Sequence, residues 1–281
     1  MDDYKTFIIK HPKLKELDPT NLPDDLKIST MTLTCKIPVN FNAGLIAKHI
    51  EISPNFIKKI KFGNHSEIFR QVTSTEKKKK KNYKKSNRNF FNQVSLLIKT
   101  DYISAKKKES VLNIKLFKNG SIQLTGCKSI SYVIYILDKI FTMLKKPIKC
   151  EGSEIVEYFV TPIFFLNILD IYNLKIDMIN SDFIIGFNID RDKLFKVLNS
   201  DRNSLFDCVY DPSRHASVMI HYIHDEMHPK KKKKLITTIL VFAKGKIIIT
   251  GARNYMRLVE CYKFINQYLI ENYIKIVRID N

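Results

Sequence analysis

Two segments of the chain decide its fold: NIKLFKNGSIQLTGCK at residues 113–128 and TILVFAKGKIIITGAR at residues 238–253. In both, apolar residues at alternating positions flank a glycine, and Phe117 and Phe242 occupy matching places just before that glycine. Alternation is typical of a strand with one buried face, and glycine tolerates the positive φ that a tight hairpin turn requires. The chain therefore contains the same predicted hairpin twice.

An amphipathic helix is predicted after each hairpin. Apolar residues recur at spacings of three and four between Ile130 and Leu144, and again between Leu258 and Leu269. Asn254 stands where the second helix would need an N-cap. A helix that is apolar on one side needs a surface to cover, and the preceding strands supply that surface.

The repeat also extends upstream of the hairpins. Lys27-Ile28 resembles Lys175-Ile176, and each pair is followed by a predicted strand and a helix-like segment, at residues 42–50 and 190–198. The first copy is longer because of a lysine-rich insertion at about 66–90, which is predicted to be a disordered loop. Each half therefore follows the order β-α-β-β-β-β-α, and two such halves could share one antiparallel sheet with helices on one face.

The repeat predicts where the parts of the chain begin and end. The four parts are an N-terminal extension (1–26), a first repeat (27–145), a linker (146–173) and a second repeat (174–281).

The balance of charge favours a polyanionic partner. The chain holds 48 Lys and Arg residues against 28 Asp and Glu residues, a net charge of +20, which suits DNA, RNA or an acidic membrane surface. Hydrophobic residues make up 44% of the chain, so it can bury a core and is not a disordered basic tail.

Other classes of protein are disfavoured. The N-terminus has no apolar signal-peptide core, and the most apolar stretch (155–174) is interrupted by Glu157, Pro162 and Asp170, so no membrane span is expected. Five scattered cysteines without a C-x-x-C pair indicate reduced thiols in an intracellular protein and argue against a disulfide framework or zinc finger.

No metal site, cofactor or enzymatic activity is expected. One group of potential ligands stands at the end of a predicted strand and in a lysine-rich loop, but it lacks the H-E-x-x-H spacing. Phosphate-binding glycine loops, nucleophile elbows and paired-carboxylate motifs do not stand out either. The potential ligands are His221, His224, Asp225, Glu226 and His228.

The doubled pattern of strand, F-x-x-G, strand, T-G-[AC]-[KR] and helix resembles the TATA-box-binding protein family, and specifically its divergent relatives in large DNA viruses. YDPSRHASV at 210–218 is similar to the family's strand-entry motif, and the resemblance covers about residues 27–145 and 174–276. It implies an α+β saddle in which two β-α-β-β-β-β-α repeats share one curved antiparallel sheet with helices on the convex face. The concave face would bind the DNA minor groove, with phenylalanines wedged between base steps, a mechanism for which this family is a standard example.

The resemblance assigns DNA-binding roles with some departures from the family pattern. Thr30 and Met178 stand where the family has paired asparagines, and His215 stands where it has a wedge phenylalanine. Lys115 and Gln123 replace apolar groove residues in the first half, although both can donate hydrogen bonds to minor-groove acceptors. The implied DNA-binding residues are Phe91, Phe117, Thr125, Lys128, Leu240, Phe242, Lys246, Ile248, Thr250 and Arg253.

The resemblance also implies partners. Asp211 and Arg214 correspond to the patch by which the family contacts transcription factor IIB, so a virus-encoded IIB-like protein is an expected partner. The expected function is a transcription initiation factor that binds and bends AT-rich promoter DNA and helps recruit a multisubunit RNA polymerase, in the host nucleus or a cytoplasmic viral factory. One alternative is a saddle-shaped interaction module with weak, nonspecific DNA binding. Another, disfavoured, is an appendage of an enzyme.

Overall fold

The computed structural model of the protein describes residues 6, 7, 9, 22–63, 68–72, 91–103, 109–149, 156–227 and 234–279. The chain divides into two units. Unit 1 contains Thr32–Lys175, and unit 2 contains Ile176–Asn281 together with residues 22–31. None of the described helices is long and apolar enough to cross a membrane.

The first repeat supplies the sheet of unit 1, with strand order β1-β7-β6-β5-β3-β4. The pairs β3–β4, β3–β5, β5–β6 and β6–β7 are antiparallel. Its elements are β1 (Lys27–Lys36), β2 (Asn40–Phe41), α1 (Ala43–His49), β3 (Ile57–Phe62), β4 (Ile68–Gln71), β5 (Gln93–Ile103), β6 (Glu109–Phe117), β7 (Ser121–Cys127) and α2 (Ile130–Leu144).

The predicted linker contains short regular elements. Strand β8 pairs with β9, and β10 pairs with β2, so this segment is joined to the first repeat by backbone hydrogen bonds. The elements are β8 (Ile148–Lys149), β9 (Val156–Glu157), β10 (Val160–Thr161) and two 3₁₀ turns, Ile163–Phe165 and Ile168–Asp170.

The second repeat supplies the sheet of unit 2, which is antiparallel with strand order β12-β13-β14-β15-β11. Its order along the chain is the predicted β-α-β-β-β-β-α, followed by one short helix. The elements are β11 (Tyr172–Ile184), α3 (Arg191–Ser200), β12 (Phe206–Val209), β13 (Ser217–Met227), β14 (Lys234–Phe242), β15 (Lys246–Ala252), α4 (Tyr255–Glu271) and α5 (Tyr273–Ile276).

In each unit, the helices cover one face of the sheet. Strand β14 alternates between buried and less buried residues, and its buried Ile239 and Val241 lie on the side of the sheet where α4 packs. Helix α4 buries Leu258, Ile265 and Leu269 on that side. Each such fully buried aliphatic side chain contributes roughly 1.5–3 kcal/mol to stability. Alternate residues of a strand point to opposite faces, and no helix of the described residues packs on the other face of either sheet.

The predicted hairpins and helices are confirmed. Gly120 and Gly245 have φ values of +76° and +69° in the two turns, a conformation that favours glycine. Helix α2 occupies the predicted interval, and the Asn254 side chain caps α4 by accepting a hydrogen bond from the Arg257 backbone N–H at 2.9 Å.

The predicted disordered insertion at about 66–90 is wrong in one part. Residues 68–71 form strand β4, which pairs with β3, and Arg70 gives the strand a physical role. Its guanidinium donates to the carbonyl oxygens of Ile50 at 2.7 Å and Ala47 at 3.3 Å, at the end of α1 where carbonyl groups lack helical partners. Residues 64–67 and 73–90 lie outside the described part of the chain.

Candidate nucleic-acid interface

The helix-free side of unit 2, called open face 2, consists of two rows of side chains that cross its strands. One row is polar, and the other is mostly apolar with Asp182 at one end. Strand register places Asn180, Thr250, Thr238 and His221 in the first row and Asp182, Ile248, Leu240 and Met219 in the second, with Phe242 two residues further along β14.

The polar row is held together by hydrogen bonds between neighbouring strands. The Thr250 hydroxyl donates to the Asn180 Oδ1 at 2.5 Å, and the Thr238 Oγ1 lies 3.3 Å from His221 Nδ1. Because the Asn180 oxygen accepts within the protein, the Nδ2 amide group of this half-buried side chain remains a hydrogen-bond donor. This row can therefore offer donors to hydrogen-bond acceptors.

Asn180 belongs to the polar row of open face 2 and was not predicted from the sequence. The resemblance placed an expected asparagine at Met178, whose sulfur lies 4.0 Å from the Thr250 hydroxyl. Residues two apart on a strand share a face, so the strand period could have pointed to Asn180. Thr30, at the other expected asparagine position, has a buried hydroxyl with no hydrogen-bond partner among the described residues.

The predicted wedge position of unit 2 holds a half-buried phenylalanine beside a histidine. Phe242 lies at the end of β14, and its ring centroid is 6.2 Å from that of His215, with the two planes inclined by 50°. The His215 Nδ1 lies 2.7 Å from the Ser217 Oγ, which restrains the imidazole. The structure therefore brings these two predicted residues together.

The corresponding side of unit 1, called open face 1, is polar where open face 2 is apolar. Strand register aligns Lys61, Ser95, Lys115 and Gln123 across β3, β5, β6 and β7. In a second row, the same register aligns Lys59, Leu97, Asn113 and Thr125, of which Thr125 is exposed.

The predicted wedge residues of unit 1 lie at the ends of neighbouring strands. Phe117 is half-buried at the end of β6 and is registered opposite Gln93, two residues after Phe91. Phe91 is 37% exposed, and its ring meets the ring of Phe62 edge-on at 6.0 Å. Phe62 was not predicted from the sequence, and it supports the Phe91 ring from β3.

The predicted phosphate-binding cations differ in their surroundings. Arg253 is exposed, and Lys128 is half-buried directly after β7. The ammonium of Lys246 lies 3.2 Å from the Asp182 carboxylate, which also accepts a hydrogen bond from Ser29. A surface ion pair of this kind contributes only about 0–1 kcal/mol, so Lys246 can exchange its partner for a phosphate at little cost.

The predicted partner-binding residues form an exposed turn. Arg214 and Asp211 make an ion pair at 3.2 Å, and the Ser213 backbone N–H donates to Asp211 at 3.1 Å. The Arg214 side chain is 86% exposed. The carboxylate thus organises the turn, while the guanidinium remains accessible to a partner.

The potential metal ligands do not converge in the described part of the chain. His221 belongs to open face 2, whereas His224 is buried on the opposite side of the sheet, where its ring nitrogens lie 2.9 Å from Glu260 and 2.9 Å from Thr237. No cluster of three metal-ligating side chains occurs among the described residues. His228 and the side chain of Glu226 lie outside the described part of the chain.

The buried thiols are held in their protonated form. Burial raises the pKa of Cys35, Cys127 and Cys261 to about 12. Because the thiolate is the reactive species, these three cysteines are poor nucleophiles near neutral pH.

Comparisons with known proteins agree with the sequence resemblance. No protein-family model matches the chain. A TATA-box-binding protein-like protein of Acanthamoeba polyphaga mimivirus is 34% identical over 262 residues, which cover 90% of this chain and 67% of the relative. The TBP structure of Methanococcus jannaschii aligns with 88% of this chain and 99% of its own, at a TM-score of 0.50 and 16% identity. The predicted α+β fold is confirmed, and the chain belongs to the TATA-box-binding protein family, among the divergent TATA-box-binding-protein-like proteins of large DNA viruses.

Proposed function

We propose that this protein is a non-enzymatic transcription initiation factor that binds AT-rich duplex DNA through the minor groove. One observation carries the proposal: each unit presents a sheet face without a described helix, and that face ends in a half-buried phenylalanine, Phe117 or Phe242. The Phe242 ring lies beside that of His215, and Phe91, just before the strand next to that of Phe117, packs against Phe62. Aromatic wedges at the ends of a broad sheet face suit insertion between base steps.

The chemistry of open face 2 fits the floor of an A·T minor groove. That floor presents only the acceptors A N3 and T O2, and it lacks the amine that guanine adds. The apolar side chains of Leu240 and Ile248 suit close contact with such a floor. The amide of Asn180 supplies a donor for these acceptors, whereas the Thr250 hydroxyl hydrogen is already used in the bond to the Asn180 oxygen.

Bending of the DNA is part of the proposal. Rings inserted between base steps unstack them and kink the duplex, and T-A steps unstack at the lowest cost. Cations beside the sheet face stabilise the bent backbone by neutralising phosphates. The candidates are Lys128, Lys246 and Arg253.

Recruitment of a multisubunit RNA polymerase completes the proposed role. The exposed turn at Asp211 and Arg214 is the candidate docking site for a IIB-like protein. An arginine whose side chain is 86% exposed suits an acidic partner surface.

A specific observation favours a second candidate function, a protein-interaction module with weak DNA binding. Four exposed aromatic side chains lie close in sequence in unit 1, and two of them, Phe164 and Phe165, contact each other at 4.3 Å between ring centroids. Aromatic residues of this kind are enriched in protein–protein interfaces. The other two are Tyr158 and Tyr172.

Titration of fluorescent duplexes separates the two functions. The proposal predicts tighter binding to AT-rich than to GC-rich duplexes. It also predicts that Phe117→Ala combined with Phe242→Ala weakens AT-rich binding by about tenfold or more, since stacking on a base contributes roughly 1–3 kcal/mol. Energy transfer between dyes at the duplex ends should rise on binding to the wild type and stay flat with the double variant.

Phe164→Ala is the matched control, because it removes a phenylalanine that is 72% exposed and lies outside both open faces. The control should bind and bend DNA like the wild type. Equal, weak and salt-sensitive binding to both duplexes would favour the interaction module and contradict minor-groove recognition.

A further inference from the structure

The two open faces differ at three matching positions. Unit 1 has Ser95, Lys115 and Gln123 aligned across β5, β6 and β7. Unit 2 has Met219, Leu240 and Ile248 aligned in the same way across β13, β14 and β15. The same row of the fold is therefore polar in one unit and apolar in the other.

The side chains of the polar row are available to a ligand. Lys115 and Gln123 are only half-buried, and neither has a hydrogen-bond or ion-pair partner within the described part of the chain. A shallow hollow of about 260 Å³ lies beside them, lined by Lys59, Lys61, Ser95, Leu97 and Asn113. Open face 1 thus combines cations, hydrogen-bond acceptors and free space.

Base pairs differ in the minor groove by one group. A G·C pair adds the N2 amine of guanine, which projects from the groove floor and donates a hydrogen bond. Against Leu240 and Ile248 that amine would be desolvated without an acceptor, and an unsatisfied buried donor costs about 1–3 kcal/mol. Against Gln123, Ser95 or Asn113 the amine meets an oxygen that can accept its hydrogen bond.

We propose that the two units recognise different base pairs: the face of unit 2 requires A·T pairs, whereas the face of unit 1 accepts G·C pairs. The DNA element that the protein binds is then asymmetric in composition, with one A·T-restricted half and one permissive half. The proposal rests on the proposed function, because it assigns the substrate preference of the same faces.

Exchange of the two rows tests the proposal. The wild type and two variants are titrated with a panel of duplexes in which one A·T pair at a time is replaced by G·C. One variant, Ser95→Met with Lys115→Leu and Gln123→Ile, gives this row of unit 1 the three residues of unit 2. The reciprocal variant, Met219→Ser with Leu240→Lys and Ile248→Gln, gives unit 2 the three residues of unit 1. Thermal unfolding checks that each variant is folded.

For the wild type, we expect G·C replacements to weaken binding by about tenfold each in one half of the site and by less than about threefold in the other. The first variant should lose about tenfold per replacement in both halves. The reciprocal variant should tolerate replacements in both halves. If the first variant does not fold, titration of the reciprocal variant still tests the proposal.

The proposal would be overturned if G·C replacements weakened binding of the wild type equally in both halves of the site. It would also be overturned if the first variant still tolerated replacements in one half. Failure of the proposed function gives a different result, since the wild type would then show no preference for the unsubstituted AT-rich duplex. If the wild type prefers the AT-rich duplex but loses the same affinity for a G·C replacement in either half, the proposed function stands and only the asymmetry is wrong.

Discussion

Asn180 shows how much of the proposed recognition depends on single side chains. Its carboxamide oxygen accepts the Thr250 hydroxyl hydrogen at 2.5 Å, so the orientation of the amide is fixed before any DNA binds. An amide oriented in this way presents its N–H groups to an acceptor without further loss of side-chain freedom. The pair is therefore a preorganised donor on open face 2.

Replacement of this donor should weaken DNA binding without unfolding the protein. We expect Asn180→Val to reduce affinity for an AT-rich duplex by roughly 2- to 10-fold, since one hydrogen bond contributes about 0.5–1.5 kcal/mol. Fluorescence anisotropy at fixed salt measures the change. Asn266→Ala is the control, because that side chain lies on α4 and donates to the Tyr262 carbonyl. An affinity equal to that of the wild type would remove Asn180 from the interface.

Some residues of the open faces could be predicted from the sequence, whereas the residues that contact them could not all be predicted. Phe117, Phe242 and Thr250 were placed by the repeat, because the period of the strands and the turn glycine fix their positions. Asn180 and Phe62 were not predicted. The strand period places Asn180 on the same face as Met178, but its bond to Thr250 and the contact of Phe62 with Phe91 join residues that are distant in sequence.

At the scale of elements, the two hairpin turns align the strands that bear the predicted wedge residues. The Gly120 carbonyl accepts from the Ile37 N–H at 3.0 Å, and the Gly245 carbonyl accepts from the Ile185 N–H at 2.9 Å. Each turn is thus hydrogen-bonded to the residue that directly follows the first strand of its repeat, β1 or β11. The space around each glycine is correspondingly small.

A methyl group should not fit at these turns. A Cβ at Gly120 would lie 2.1 Å from the Ile37 carbonyl oxygen, and its φ of +76° is unfavourable for alanine. We expect Gly120→Ala to destabilise the protein by at least about 1–2 kcal/mol from the backbone conformation alone, as measured by urea unfolding. Gly186→Ala is the matched control, because nothing lies within 4 Å of its added Cβ. Equal stability of the two variants would contradict the role of the turn.

Strand β4 was not predicted, because it lies in a segment that was expected to be disordered. Its four residues stand within a lysine-rich stretch whose composition is typical of disorder. The strand is held by pairing to β3 and by Arg70 at the end of α1, and both are tertiary contacts that composition does not reveal. The longer strands and helices were predicted because their apolar residues keep a regular spacing over many positions, and because the same pattern occurs in both repeats.

At the scale of the whole molecule, the charge of +20 has several origins. Lys59, Lys61 and Lys115 belong to open face 1, whereas the runs Lys77–Lys81 and Lys230–Lys233 lie outside the described residues. Net charge alone predicted a polyanionic partner. The choice of duplex DNA over other polyanions rests on family membership and on the chemistry of the two faces.

The central claim, recognition of A·T pairs through the minor groove, is tested most directly by inosine. An inosine·cytosine pair presents the minor-groove surface of A·T and a major-groove surface like that of G·C. Affinities are measured for three duplexes with A·T, inosine·cytosine or G·C pairs at every position of the bound site. The account predicts that the inosine duplex binds within about threefold of the A·T duplex, because the groove floor is unchanged. Binding of the inosine duplex as weak as that of the G·C duplex would contradict it.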